Sequence, residues 1–163
     1  MAWPRLARMV LVVALLGGCG GDGKESEAGR EARLLELRPV LASEAPPCPA
    51  AKEKDGVVVL PETRDGKTLA CLRLGPAVVD ETDVRSAGIG QTPGGPAVSV
   101  ILGRTGSTNL DNFAARNLGQ RMAIVVRGKV LRAPTIQSTK FIGRLELIGL
   151  TQDEATSLAH DLG

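Results

Sequence analysis

From residue 34 onward, short aliphatic runs alternate with Gly, Pro and Asp punctuation, a pattern of strands closed by turns. Residues 34–41 alternate in part and stop at Ala45-Pro46-Pro47, and residues 56–60 form a Val-rich run that fits a strand or an extended loop. Residues 67–74 read as a strand ending at Gly75-Pro76, and residues 96–102 as another, introduced by Pro93-Gly94-Gly95. Ser107 or Thr108 can cap a helix through 118, with Leu110, Phe113, Ala114 and Asn117 on one side and Gly119 as its stop. The clearest hairpin is RMAIVVRGKVLRA, two apolar strands, 121–126 and 129–133, about Arg127-Gly128. Residues 145–150 give a further strand. Thr151 followed by Glu154 makes a capping box, and Ala155, Leu158, Ala159 and Leu162 then share one helical face. The pattern predicts an α+β fold: an antiparallel sheet with about two helices packed on one face.

The first 33 residues follow another logic. Arg5 and Arg8 precede the apolar run MVLVVALL, which is broken by Gly17-Gly18-Cys19. The run falls far short of the roughly 20 residues that a spanning helix needs. Leu16-Gly17-Gly18-Cys19 resembles the bacterial lipoprotein signal, in which the cysteine is acylated and becomes the first mature residue. The expected organisation is a signal peptide over 1–18, acylated Cys19 with a flexible tether over 19–33 (GGDGKESEAGREAR after Cys19), and one domain over 34–163. Lipid attachment at Cys19 implies stable anchoring, the domain lying on the extracytoplasmic face of the cell membrane or of an outer membrane.

Composition narrows the function classes. The chain has 163 residues, suited to one domain with appendages, and its core must be aliphatic because it carries no Tyr, one Trp and two Phe. Base stacking, aromatic cages and sugar platforms therefore have almost nothing to work with. Formal charge is +2, but Arg5 and Arg8 lie in the segment read as cleaved, which leaves the two signs equal. No electrostatic footprint for nucleic acid follows.

Cys48 and Cys71 remain once Cys19 is acylated, an even number in an oxidising compartment, which favours a disulfide over two separate thiols. A metal site from Cys48, Cys71 and His160 lacks the close ligand pair of zinc sites, so no metal is expected. His160, beside Asp161 near the end of the last helix, reads as a solvated capping residue. It has no nucleophile elbow to serve, which argues against a serine hydrolase. Gly88-Ile89-Gly90 and Gly94-Gly95 read as loop and not as a phosphate cradle, and Asp80, Glu81 and Asp83 as a solvated turn rather than a calcium loop. The expectation is a protein that is not an enzyme and takes no cofactor and no small-molecule substrate.

Several segments in order resemble the head subdomain of the first extracytoplasmic domain of SecD, the accessory subunit of the bacterial preprotein translocase. LELRPVL from Leu35 resembles an opening strand of that family, and LRLGPAVVDETDVRSA from Leu72 its leucine-glycine-proline segment. RMAIVVRGKVLRAP from Arg121 resembles its hairpin, and IGLTQDEATSLAHDL from Ile148 its final strand, turn and helix. The chain departs from the family at Arg127, where aspartate is common before the turn glycine, and at Arg132, where serine precedes Ala133-Pro134. The resemblance covers roughly residues 34–163 and does not include the membrane helices of SecD. It implies the α+β head fold and contact with polypeptides outside the membrane, with Arg127, Gly128, Arg132, Ala133 and Pro134 of the hairpin as partner contacts. The expected function is a non-catalytic protein-binding module on an anchored lipoprotein, linked to protein export. The alternative is a structural or regulatory envelope lipoprotein that docks on one folded partner.

Overall fold

Leucine, valine and isoleucine runs become strands here wherever turn residues bound them, because pairing and burial reward their branched side chains. The computed structural model describes residues 33–163. Residues 1–32, and with them the signal segment, Cys19 and most of the tether, lie outside the described residues. In chain order the elements are β1 (Leu35–Glu44), β2 (Val58–Arg64), β3 (Lys67–Leu74), β4 (Val79–Asp80), a 3-10 turn (Glu81–Asp83), β5 (Val84–Thr92), β6 (Gly95–Leu102), α1 (Arg104–Arg116), β7 (Met122–Val126), β8 (Lys129–Arg132), β9 (Arg144–Ile148) and α2 (Gln152–Leu162).

The α+β class holds, but the single antiparallel sheet does not. A six-stranded sheet runs β3-β2-β8-β7-β1-β4, and a separate three-stranded sheet runs β5-β6-β9. The first sheet closes on itself because β1 is long: its first half pairs with β7 (Leu35↔Val126 to Pro39↔Met122) and its second with β3 (Val40↔Leu74 to Glu44↔Cys71). Closure on the far side rests on one parallel pair, Glu62↔Val130 between β2 and β8. The second sheet exists because β5 forms where glycine-rich loop was expected. Its weak propensity is overcome by an antiparallel ladder to β6, from Val84↔Leu102 to Thr92↔Gly95, and by α2 packed on β5 and β6.

The first helix also starts earlier than Ser107. It begins at Arg104 behind Gly103, with no side-chain cap. Tertiary contact substitutes for the cap, since Gly103 N donates to Asp83 O at 2.7 Å and Gly106 packs directly against Asp83. By contrast α2 has the expected capping box, Thr151 with Glu154, and buries Ala155, Leu158 and Ala159.

Two apolar clusters result. The larger joins Leu35, Leu37 and Met122 to Val98, Val100, Leu110, Leu147 and Leu158, binding the two sheets and both helices together. The smaller comprises Leu60, Leu72, Leu74, Ala123, Val125, Val130 and Ala133, contributed by the strands of the closed sheet. Register places Glu36 opposite Val125 and Arg38 opposite Ala123, hence on the face that this smaller cluster occupies. Arg38 is 1% exposed. Its Nη1 donates to Gly56 O at 2.9 Å and Gly75 O at 3.0 Å, and its Nη2 to Glu36 Oε1 at 2.8 Å. Nη2 also lies 3.4 Å from Glu53 Oε1, so Arg38 ties the 45–57 loop to the strands. The same loop is stapled covalently by Cys48–Cys71, whose Cα atoms are 5.3 Å apart.

Candidate functional site

The hairpin shapes the surface of interest. Arg127 and Gly128 take φ of 48° and 74°, the two positive values that a two-residue primed turn requires. Gly128 accepts this freely, whereas Arg127 bears about 1 kcal/mol or more of left-handed cost. Offsetting contacts come from α2: Arg127 Nη2 donates to Ser157 Oγ at 2.7 Å and to Asp161 Oδ2 at 2.6 Å. Arg127 N also donates to Leu34 O at 3.3 Å, joining the turn to the start of the described chain. The His160 hydrogen bond first, and Arg127 next, hold the Asp161 carboxyl below the usual aspartate range.

Past the turn the register shifts between Ile124 and Val125, so that Leu131 is the extra residue of a bulge. Val130 is then buried in the smaller cluster while Leu131 packs against the larger one. Ala133 is buried and its carbonyl accepts from Arg121 Nε at 2.9 Å; Pro134 O accepts from Met122 N at the same distance. Arg132 is exposed and crosses Gly149, where a Cβ would stand 3.4 Å from its Nε.

Two adjoining clefts lie along β8. One, of about 630 Å³, is lined by Pro61 and Thr63 of β2, residues 126–131, Gly149, Leu150 and Glu154. The other, of about 530 Å³, is lined by Glu62 to Asp65, Leu69, Arg121, residues 131–134 and Gly149. The hairpin residues singled out in the sequence thus divide between them: Arg127 and Gly128 in the first, Arg132, Ala133 and Pro134 in the second. Cys48 and Cys71 are bonded to each other and do not line either cleft. Sequence reasoning missed Arg64, Lys129 and the Arg121–Glu62 ion pair at 2.7 Å, because only the approach of β2 to β8 brings them together.

The remaining candidates are structural in character. His160 is exposed, with Nδ1 3.3 Å from Asp161 Oδ1. Asp80 caps the 3-10 turn and pairs with Arg33. Burial works against its ionisation, but hydrogen bonds from Thr82 and the charge of Arg33 more than offset this and hold its carboxyl below the usual value. Glu154 is likewise held low, chiefly by the Thr151 backbone N–H. Among the described residues no group of three His, Cys, Asp or Glu side chains could hold a metal ion, and no helix is long and apolar enough to cross a membrane.

A closed sheet that carries the β7–β8 hairpin, a second small sheet and two helices define a head-type α+β module. The family model for the SecDF P1 head subdomain matches residues 58–163, and the chain belongs to that family. It is 34% identical over 103 residues to the protein translocase subunit SecD of Aquifex aeolicus (strain VF5), a match covering 62% of this chain and 20% of that protein. The chain therefore corresponds to a small part of that relative's length. Among solved structures, one of SecDF described as a membrane component that enhances protein export matches with a TM-score of 0.59 and 22% identity, covering 81% of this chain and 63% of the other. SecDF in its super-membrane-facing form matches with a TM-score of 0.60 and 23% identity, over 81% of this chain and 19% of the other. Both share the fold.

Proposed function

We propose that the chain is a lipid-anchored extracytoplasmic protein whose head module binds extended polypeptide in connection with protein export and catalyses no reaction. The observation that carries this reading is the coincidence of head-family membership with two adjoining clefts along the family-like hairpin. Strand-like ligands suit such a surface, since the β2–β8 seam is held by a single pair and its flanks are open. Binding is weak, because a short extended ligand buries little area and loses entropy on ordering. Acylation of Cys19 supplies the anchor, and Cys48–Cys71 fits an oxidising compartment.

Two experiments test the two halves. A photoreactive residue at Lys129 or Arg132 should crosslink to extended exported chains in the native envelope, and the purified chain should bind a panel of unfolded proteins. Failure to bind any of them, together with tight capture of one folded protein, would replace this reading by the docking module. Cys19→Ser should release the protein or leave an uncleaved precursor; mature variant retained in the membrane fraction through detergent-free washes would remove the anchor from the proposal.

One observation favours the docking reading: an apolar recess of about 230 Å³ lined by Leu37, Met122, Ile124, Ile136, Phe141 and Leu145 lies beside Ile142, which is 91% exposed. Exposed apolar surface of this kind suits a folded partner.

A further inference from the structure

The two clefts share Thr63, Leu131 and Gly149 in their linings, so they form one trough along β8 from the hairpin tip to Pro134. Its charges are unevenly satisfied. Arg121 is neutralised by Glu62 at 2.7 Å and Arg127 by Asp161 at 2.6 Å. Arg64, Lys129 and Arg132 have no carboxylate within ion-pairing distance among the described residues. The trough's own acids redress this only in part, since the charge of Lys129 acts on Glu154 without forming a close ion pair. Glu62 is engaged by Arg121, and Glu154 Oε2 accepts from Thr151 N at 2.8 Å and Thr151 Oγ1 at 3.0 Å as part of the α2 cap. Asp65 alone remains, at the β2–β3 turn, where it takes a φ of 50°.

We infer that this trough selects extended polypeptide segments that carry aspartate or glutamate. The inference rests on the polypeptide-binding reading and adds the class of segment. Set against Asp65 and Glu154, the three cations Arg64, Lys129 and Arg132 leave this concave strip one positive charge in excess, with none of the three held in a close ion pair among the described residues. Lys129 and Arg132 bracket β8, three residues and about 10 Å of strand apart, a spacing that carboxylates along an extended ligand can meet. Pro61, Val126, Leu131 and Leu150 supply apolar floor between them, which a peptide's intervening side chains can cover. A flat anionic membrane would not enter a concave strip, and the trough lining holds no aromatic side chain on which a nucleobase could stack.

The test is a titration of the full chain with three labelled extended peptides of one Ser/Val/Leu framework, bearing two glutamates, no charge or two lysines, followed by fluorescence anisotropy. At low salt the acidic peptide should bind roughly five- to tenfold more tightly than the neutral one, as expected for two exposed ion pairs. That advantage should vanish near 1 M salt, where screening acts within about 3 Å. The triple substitution Arg64→Gln, Lys129→Gln, Arg132→Gln should bring the acidic peptide's affinity to that of the neutral peptide measured on the same variant. All three side chains are exposed, and the salt titration on the unaltered chain gives the same answer without any variant. Equal binding of the three peptides, or preference for the lysine peptide, would overturn the inference and leave the polypeptide-binding reading standing. Binding of none would overturn that reading and the inference with it, and anionic vesicles displacing the acidic peptide would reassign the trough to lipid and overturn the inference.

Discussion

Arg127 Nη2 lies 2.6 Å from Asp161 Oδ2, so the tip of the β7–β8 hairpin is tied to the last turn of α2. Turn chemistry alone favours Arg127→Asp, since aspartate tolerates positive φ better than arginine. The ion pair reverses that expectation, because the substitution places two carboxylates against each other. Arg127→Asp should therefore melt below Arg127→Asn at neutral pH and low salt, and the gap should close in an Asp161→Asn background. Thermal unfolding of the four variants checks the order; Arg127→Asp as the more stable would show that the turn dominates.

Gly106 offers a case where a helix rule changes sign. Replacing an internal helical glycine by alanine ordinarily stabilises by about 1 kcal/mol. A Cβ here would stand 2.6 Å from Asp83 Cβ and 3.0 Å from its Cγ, and Asp83 is held by the capping box with Asp80. Gly106→Ala should destabilise by roughly 1–3 kcal/mol in denaturant titration. Asn109→Ala, an exposed position on the same helix, should be neutral or mildly stabilising.

Arg38 is buried with its guanidinium bonded to two carbonyls and to Glu36. Arg38→Met fills similar volume but deprives Gly56 O, Gly75 O and the buried Glu36 of that donor. The expected loss is about 3–5 kcal/mol, measured as a lower denaturant midpoint. A paired Arg38→Met, Glu36→Leu variant should recover part of it.

The Cys48–Cys71 bond spans 23 residues, and in the chain-entropy model such a loop contributes about 3 kcal/mol. Reduction, or Cys48→Ala with Cys71→Ala, should lower the unfolding midpoint accordingly. Intact-mass labelling that finds both thiols free in envelope-purified protein would remove this contribution.

Acid should weaken the fold through carboxylates whose folded-state pKa is depressed. Asp80, Glu154 and Asp161 all shift downward. A depressed folded pKa gives stability that is fully present above the ordinary carboxylate pKa of about 4 and is lost as pH falls through the folded value. Stability should thus be flat near neutrality and decline only below about pH 4. Asp80→Asn should be less stable than the parent at pH 7, with the difference shrinking as both are acidified; a constant difference across that range would show that the carboxylate's charge is not the cause.

Local signals in the chain determined its local structure well. The hairpin at Arg127-Gly128, the Thr151–Glu154 cap and the strand at 67–74 are each specified by neighbours in sequence, through turn residues, a capping box and apolar runs bounded by breakers. Even the Cys48–Cys71 partnership was legible, since setting Cys19 aside as the expected acylation site leaves one pair of cysteines.

What the tertiary structure alone decided concerns pairing between distant segments. β5 has a glycine-rich sequence with weak strand propensity and owes its form to the β6 ladder and to α2, so no local reading reveals it. Closure of the larger sheet depends on β1 changing partner from β7 to β3 midway, and the start of α1 on Asp83 approaching Gly103 and Gly106. The trough follows from the same cause: Arg64 and Arg132 lie 68 positions apart, and only the β2–β8 contact sets their charges along one strip. Side-chain periodicity encodes which face of a strand is buried, but not which strand it meets, and a binding surface is made of the meetings.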